Sequence, residues 1–208
     1  MKRKKIAMVV VLCSVLIAFN TLWAFGQKKI LMFGDSITAG YGLTEEQAYP
    51  ALIQNKIDSL GLNHTVINAG LSGETTAGGA RRVDWILQQD VDIFLLGLGG
   101  NDGLRGIEPS NTKMNLMTII EKVREKDSEV DIILAGMEAP PNLGQQYTSS
   151  FRSIFSEVAN EKDVTFMPFL LEDVAGIDEL NQPDRIHPTA EGQQIIADHI
   201  WTYVEPLL

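Results

Sequence analysis

Beyond residue 27 the chain alternates short aliphatic and β-branched runs with longer segments whose apolar side chains recur every three or four positions. The short runs predict strands, and the longer segments predict amphipathic helices. Regular alternation of the two is typical of a parallel sheet, because parallel strands need a crossover between them. The pattern therefore predicts one α/β domain, a three-layer α/β/α sandwich whose five strands are Ile30–Phe33, Thr65–Asn68, Val91–Leu96, Val130–Ala135 and Val164–Met167.

Three of the longer segments carry an apolar face at helical spacing. In the first, that face comprises Tyr49, Leu52, Ile53, Ile57 and Leu60. In the second, it comprises Tyr147, Phe151, Ile154, Phe155 and Val158. The last helix is predicted from about Glu191 to Val204, with an inward face of Ile195, Ile196, Ile200 and Val204.

The N-terminal segment has a different pattern. Four basic residues at positions 2–5 precede a continuous apolar run over 6–19, which is typical of a secretory signal. The run is shorter than the roughly 20 residues that a membrane-spanning helix needs, and Ala24–Gly26 offers small residues for cleavage. We predict a signal peptide over 1–26, with an uncleaved anchor as the alternative, and a domain over 27–208 that is exported to the periplasm or secreted.

Composition narrows the chemistry of the exported domain. The only cysteine, Cys13, lies in the signal segment, so a thiol nucleophile and a thiolate metal site are excluded from the domain. Its three dispersed histidines predict no metal site, and nothing in the pattern indicates a cofactor. Removal of four positive charges changes the formal net charge from −10 to −14, which disfavours nucleic acid and anionic lipid as partners.

Polar, glycine-rich segments follow three of the predicted strands, and a fourth polar segment precedes the last helix. Ligands of parallel α/β sheets bind beyond the carboxyl ends of the strands, where such loops converge. We therefore expect one candidate site built from Gly34–Ser36, Asn68–Gly70, Gly99–Asp102 and Asp184–Pro188.

Ser36 lies at the exit of a buried strand, where a tight turn presents its hydroxyl at a helix start. A serine nucleophile needs a base, and His187 is the best placed of the three histidines because it lies in a loop. Asp184 stands three residues before it and can orient the imidazole. Two of these positions also have an alternative, purely structural role. Asp35 or Ser36 could cap the following helix, and His187 could be part of an ordinary helix start.

Acyl transfer also needs hydrogen-bond donors for the oxyanion of the tetrahedral intermediate. The candidates are the backbone N–H groups of Ser36 and Gly70 and the side-chain amide of Asn101. The alternatives are a turn with positive φ at Gly70 and a loop cap at Asn101.

In this order, the four segments resemble the SGNH (GDSL) hydrolase family. Leu98–Gly106 is especially similar to its bacterial branch of thioesterases, arylesterases and lysophospholipases. The resemblance implies that Ser36, Gly70, Asn101 and His187 are the four name-giving residues and that Asp184 completes the triad. It also implies a flavodoxin-like strand order of 2-1-3-4-5 and a shallow, open site without a metal or cofactor.

One position departs from the family pattern, since relatives often have glycine where this chain has Arg185. A requirement for positive φ there would strain an arginine. We expect Arg185 to adjust the loop and to place a positive charge at the mouth of the site, with the triad intact.

Substrate choice is expected to depend on two loops beside the triad. Four residues there are candidates for an acyl groove, with anchoring of the loops as their alternative role: Leu104, Ile107, Met137 and Leu143. The resemblance implies hydrolysis of esters and thioesters of short to medium acyl chains, including aryl esters and lysophospholipids. The sequence does not indicate an oligomeric state, and a monomer is the default expectation. The rival functions are a carbohydrate O-acetylesterase and a non-catalytic, flavodoxin-like ligand-binding module.

Overall fold

A computed structural model describes residues 26–208 of the protein. A five-stranded parallel sheet in the order β2-β1-β3-β4-β5 forms its centre, as predicted. Every predicted strand is present, with bounds that differ by at most two residues. The strands are Lys29–Gly34 (β1), Thr65–Gly70 (β2), Ile93–Gly97 (β3), Asp131–Ala135 (β4) and Thr165–Met167 (β5).

Helices cover both faces of this sheet. Crossovers between parallel strands are right-handed, so connections that run in opposite directions along the sheet place their helices on opposite faces. The helices are Ser36–Ala39 (α1), Tyr49–Ser59 (α2), Thr76–Ile86 (α3), Gly100–Leu104 (α4), Pro109–Lys126 (α5), Gln145–Lys162 (α6) and Ala190–Val204 (α7). Their contacts agree with this arrangement, because α3 packs on α5 and α5 on α6, whereas α2 packs on α7.

The core lies on the three central strands. Every side chain of β1, β3 and β4 is buried except the first of β1 and the first of β4. This burial on both faces explains why their sequences are nearly continuous apolar runs. The predicted helix faces also pack inward, but the expectation for Leu60 is wrong: α2 ends at Ser59, and Leu60 is 57% exposed.

The predicted signal segment lies outside the described residues except for Gly26. Within residues 26–208, no helix combines the length and apolar character needed to cross a membrane.

The strand order positions the functional site. From β1 the chain moves to β2 on one side, then returns past β1 to β3 on the other side. The connections that leave β1 and β3 therefore diverge at their carboxyl ends and open a crevice between them. The segments that begin at Gly34 and Gly97 enter this crevice.

Candidate active site

The nucleophile turn, Gly34–Ser36, links β1 to α1. Asp35 is the helix cap, because its Oδ1 accepts the Ile37 N–H at 3.0 Å. Ser36 therefore keeps its hydroxyl free of the capping role. Glycine is required at position 34, since a Cβ there would lie 1.9 Å from Thr38 Oγ1.

The base loop, Asn181–Pro188, brings His187 to this turn. His187 Nε2 lies 2.9 Å from Ser36 Oγ, and His187 Nδ1 lies 2.7 Å from Asp184 Oδ2. A carboxylate is an acceptor only, so it selects the tautomer with the proton on Nδ1 and leaves Nε2 to accept the Ser36 O–H. The structure thus brings together the three residues that the sequence selected as nucleophile, base and orienting acid.

Asp184 is held by its own loop. Its Oδ1 accepts the backbone N–H groups of His187 and Ile186, each at 3.0 Å. Hydrogen bonds from the backbone and ring of His187 lower the pKa of Asp184 to about 2. The carboxylate is therefore ionised throughout the neutral range.

Asn101 lies in the first turn of α4, across the crevice from the base loop. Its Nδ2 donates to Asp35 Oδ2 at 3.2 Å, which leaves the second N–H of this amide available to a ligand. The backbone N–H of Ser36 has no acceptor among residues 26–208. Both groups belong to residues that line the same cavity.

Asp35 is a buried carboxyl, with only 2% of its surface exposed. Burial raises its pKa to about 6, although the hydrogen bonds from Ile37 and Asn101 and the nearby His187 act in the opposite direction. Its two carboxyl oxygens accept hydrogen bonds from the start of α1 and from Asn101, which fixes the position of Asn101 relative to α1. Only the cap is predicted for Asp35 from the sequence; the second contact, with Asn101, is not.

Gly70 does not have the role expected of it. Its N–H donates to Asn68 Oδ1 at 3.0 Å and is therefore occupied. Any Cβ at position 70 would lie 2.3 Å from the Ala39 backbone nitrogen, so glycine there allows β2 and α1 to approach closely. Gly70 is a packing residue in this structure.

A different glycine follows in the loop after β2. Gly73 has φ +80°, and its N–H has no acceptor among the described residues. The loop begins beside the nucleophile turn, because Leu71 N–H donates to Gly34 O at 3.0 Å. Arg105, just after α4, holds the carbonyl of Gly73 at 3.0 Å. A Ser-Gly turn signal at positions 72–73 was the sequence feature that could have indicated this residue.

A cavity of about 810 Å³ opens beside Ser36. Three of the four predicted groove residues, Leu104, Met137 and Leu143, line it. Ile107 does not line it. The carbonyl of Ile107 instead accepts the Tyr147 hydroxyl at 2.6 Å, which anchors the loop after α4 to α6.

Part of the cavity wall was not predicted. The segment after β5 carries no glycine-rich motif, and no role was predicted for it from the sequence. Asn181, which is 8% exposed, ties this segment to the base loop by donating to the carbonyls of Val174 and Ile177 at 2.7 and 2.8 Å. Apolar residues that line the cavity without having been predicted to do so include Ile37, Phe169, Leu171, Ala175 and Ile186.

Arg185 has φ +60°, the backbone conformation that favours glycine. The strain leaves the neighbouring contacts intact, since His187 faces Ser36. The Arg185 side chain reaches the cavity lining and pairs with Asp178 at 2.8 Å. The positive charge expected at the mouth is therefore present but accompanied by a carboxylate.

Within residues 26–208, no three histidine, cysteine, aspartate or glutamate side chains are arranged to hold a metal ion. The cavity lining combines apolar side chains with the hydroxyl, imidazole and amide of Ser36, His187 and Asn101. A hydroxyl hydrogen-bonded to an imidazole that a carboxylate orients is the arrangement of a serine hydrolase.

Comparison with known proteins identifies the family. The model of the GDSL-like Lipase/Acylhydrolase family matches residues 32–195, and the chain belongs to this family of esterases. It is 36% identical over 182 residues to Esterase TesA of Pseudomonas aeruginosa, covering 87% of this chain and 90% of that protein. It is 35% identical over 189 residues to Thioesterase 1/protease 1/lysophospholipase L1 of Escherichia coli, covering 90% and 88%.

The fold comparison agrees. The crystal structure of TesA superposes with a TM-score of 0.82 at 35% identity, covering 87% of this chain and all of that one (100%). The protein is therefore an enzyme of the SGNH type that acts on small-molecule esters.

Proposed function

We propose that the protein hydrolyses carboxylic esters and thioesters of short to medium acyl chains through Ser36, His187 and Asp184. The observation that carries this proposal is the continuous pair of hydrogen bonds, 2.9 Å from Ser36 Oγ to His187 Nε2 and 2.7 Å from His187 Nδ1 to Asp184 Oδ2. Both bonds lie at the wall of a cavity large enough for an acyl chain.

In the first half-reaction, Ser36 Oγ attacks the substrate carbonyl carbon while His187 Nε2 takes the hydroxyl proton. The resulting imidazolium is stabilised by Asp184. When the tetrahedral intermediate collapses, His187 returns the proton to the departing alcohol or thiol, and the acyl group stays on Ser36. Water then attacks the acyl-enzyme by the same proton transfers, which releases the acid and restores the serine.

The oxyanion of each intermediate needs donors that are already in place. The N–H of Ser36 and the free N–H of the Asn101 amide are two such donors. Gly73 replaces Gly70 as the third, because its N–H is unoccupied among residues 26–208, whereas that of Gly70 is bound to Asn68. Arg105 stabilises the conformation of the Gly73 loop.

The cavity favours an apolar acyl chain. Leu104 and Leu143 are 45% and 38% exposed on its wall, and Met137 is buried behind them. An acyl chain that covers these side chains gains about 25 cal/mol for each Å² of apolar surface removed from water. Phe169 is the one phenyl ring among the residues that line this cavity, and the apolar wall is otherwise aliphatic, which favours an acyl chain over a sugar ring.

We also propose that residues 1–26 direct export and that residues 27–208 form the exported domain. The basic start followed by a short apolar run supports this proposal. N-terminal sequencing of protein recovered from the cell envelope tests it. A first residue at Gln27 is expected, and an intact N-terminus would contradict cleavage.

The activity is tested with p-nitrophenyl esters from acetate to palmitate, with matching acyl thioesters of N-acetylcysteamine, and with acetylated xylan as the substrate of the rival function. Ser36→Ala is expected to abolish turnover, since loss of a nucleophile of this kind costs on the order of 10⁶-fold in kcat. Ser150→Ala, an exposed serine of α6, is the matched control and should behave as wild type. Equal activity of wild type and Ser36→Ala would refute the mechanism, and turnover confined to acetylated xylan would refute the substrate class.

A further inference from the structure

Tyr41 lies against the proposed base without belonging to any of the motifs that define the site. The centroid of its ring is 4.5 Å from that of His187, with an angle of 37° between the planes. Tyr41 is 53% exposed as a residue, so packing in the core does not explain the position of its ring. A large aromatic side chain that stays at the surface on the catalytic imidazole needs another explanation.

The backbone of Tyr41 is fixed on the side of the nucleophile. Its N–H donates to the carbonyl of Ser36 at 3.0 Å. Gly40 and Gly42 on either side have φ of +73° and +79°, conformations that turn the chain sharply out of α1 and back. Tyr41 is thereby presented at a defined distance from Ser36.

Gln182 fixes Tyr41 on the side of the base loop. Its side-chain Nε2 donates to Tyr41 O at 2.7 Å and to Pro188 O at 3.0 Å, and its backbone N–H donates to His187 O at 2.7 Å. The contact is so close that a Cβ at Gly42 would lie 2.4 Å from Gln182 Oε1. One amide therefore joins the segment that follows the nucleophile to the loop that carries the base.

We propose that Tyr41, held by Gln182, is a positioning residue whose ring face keeps His187 aimed at Ser36 and stabilises its imidazolium form. A cation within about 6 Å of an aromatic centroid is attracted by the negative face of the ring. Neutral imidazole lacks this attraction, so the ring favours the charged state that exists only after proton transfer. An interaction stronger in the transition state than in the ground state increases kcat.

Other charges also act on His187 and must be separated from the ring. Asp184 bonds Nδ1, and Asp35 lies on the nucleophile side. Arg185 lies in the same loop and is paired with Asp178. None of these contacts involves the Tyr41 side chain, so replacing that ring leaves the surrounding charges in place.

The inference rests on the proposed function, because it takes His187 as the base. Its test uses Tyr41→Leu, Tyr41→Phe and Trp85→Leu, the last a 68% exposed aromatic on α3 that serves as the matched control. The ring protons of His187 are followed by NMR as pH is varied, and their assignment comes from the signal lost in His187→Gln. His64 and His199 serve as internal references. Steady-state kinetics on p-nitrophenyl butyrate gives kcat and KM separately.

Tyr41→Leu is expected to lower the pH midpoint of His187 protonation by about half a pH unit and kcat by roughly two- to fivefold, with KM little changed. Tyr41→Phe keeps the ring face and should restore both the midpoint and kcat, and Trp85→Leu should match wild type. An unchanged midpoint in Tyr41→Leu, even with reduced kcat, would overturn charge stabilisation. Equal losses in the leucine and phenylalanine variants would also overturn it.

The Ser36→Ala variant distinguishes a failure of the proposed function from a failure of the proposed role of Tyr41. If Ser36→Ala retains wild-type turnover, the proposed function fails. If Ser36→Ala is inactive while Tyr41→Leu matches wild type in kcat and in the His187 midpoint, the proposed function stands and the role of Tyr41 fails.

Discussion

The nucleophile turn and the base loop meet at one hydrogen bond, yet they are built in different ways. Asp35 and Ser36 are 2% and 9% exposed and are continuous with the central strand β1. The base loop lies at the surface: the side chain of Asp184 is 40% exposed, and Ile186 is 40% exposed as a residue. In the proposed reaction, Ser36 therefore belongs to the core, whereas His187 is carried by a loop at the surface.

Their supports differ accordingly. The helix after the nucleophile is held by buried side chains, because Gln193 Nε2 donates to Ile37 O at 3.0 Å and Thr38 Oγ1 lies 2.7 Å from the Tyr49 hydroxyl. The base loop is held by the amides of Asn181 and Gln182 and by its own turn hydrogen bonds. Changes on the nucleophile side should therefore affect stability first, and changes in the base loop should affect activity first.

The strongest test of this contrast is Asp184→Asn. The amide oxygen can still accept the backbone N–H groups, but an NH₂ then faces His187 Nδ1 and selects the wrong tautomer. We expect kcat/KM to fall by about 10³- to 10⁴-fold, as for the equivalent change in other triads. Urea unfolding at neutral pH should change by less than about 1 kcal/mol, because the carboxylate is partly exposed. A large loss of stability with modest loss of activity would reverse the assignment of roles.

The next effect belongs to the buried carboxyl, Asp35. Its folded-state pKa of about 6 is above the unfolded value of 3.8, so the folded chain binds the proton more tightly. Stability from this group is thus fully present below about pH 4 and is lost as pH rises through about 6, by up to about 3 kcal/mol. Asp35→Asn should remove this part of the pH dependence.

Urea unfolding of wild type and Asp35→Asn at pH 4 and pH 8 measures the difference. The free energy of unfolding of the variant should decrease less, or increase more, between the two pH values. Parallel changes in the two proteins would contradict a raised pKa. The variant should also lose kcat, because asparagine keeps only one of the two oxygens, so the hydrogen bond from either Ile37 or Asn101 is lost.

A smaller effect is expected at the buried pair of Thr38 and Tyr49. Tyr49→Phe leaves the threonine hydroxyl without its partner, at a cost of about 1–2 kcal/mol in unfolding free energy. The reacting atoms are untouched, so kcat/KM should stay close to that of wild type. Tyr203→Phe is the control, since its hydroxyl makes no hydrogen bond within the described part of the chain. A clear loss of kcat/KM in the folded variant would show that the pair positions Ser36 directly.

The smallest effect is expected at Arg185. Arg185→Gly relieves the backbone strain of the left-handed conformation. It also increases the conformational entropy of the unfolded chain and removes an exposed ion pair with Asp178. These effects oppose one another, so thermal unfolding should shift by no more than about 1 kcal/mol in free energy. Arg185→Ala keeps the strain and provides the comparison. A tenfold or greater loss of activity in both variants would show that the charge acts on substrate.

Sequence reasoning was most successful where a residue type and a local pattern coincide. Apolar runs predicted the strands, most clearly the central β1, β3 and β4, because burial on both faces leaves little room for polar side chains. The three residues Ser36, Asp184 and His187 could be selected because few groups perform this chemistry and each lies in a recognisable loop. The choice of Gly70 failed because two glycines lie close together, Gly70 at the end of β2 and Gly73 in the loop after it, and only the three-dimensional contacts show which N–H is occupied.

The sequence by itself determined the fold class and the order of the chemical motifs, and it predicts the reacting groups, since these follow from periodicity and local chemistry. The tertiary structure alone decided which residues line the cavity beside Ser36. Ile107 does not line it, Phe169 and Ile186 do, and the Tyr41 ring lies against that of His187. These contacts join segments far apart in the chain. Their geometry depends on the packing of whole elements, which no local pattern records.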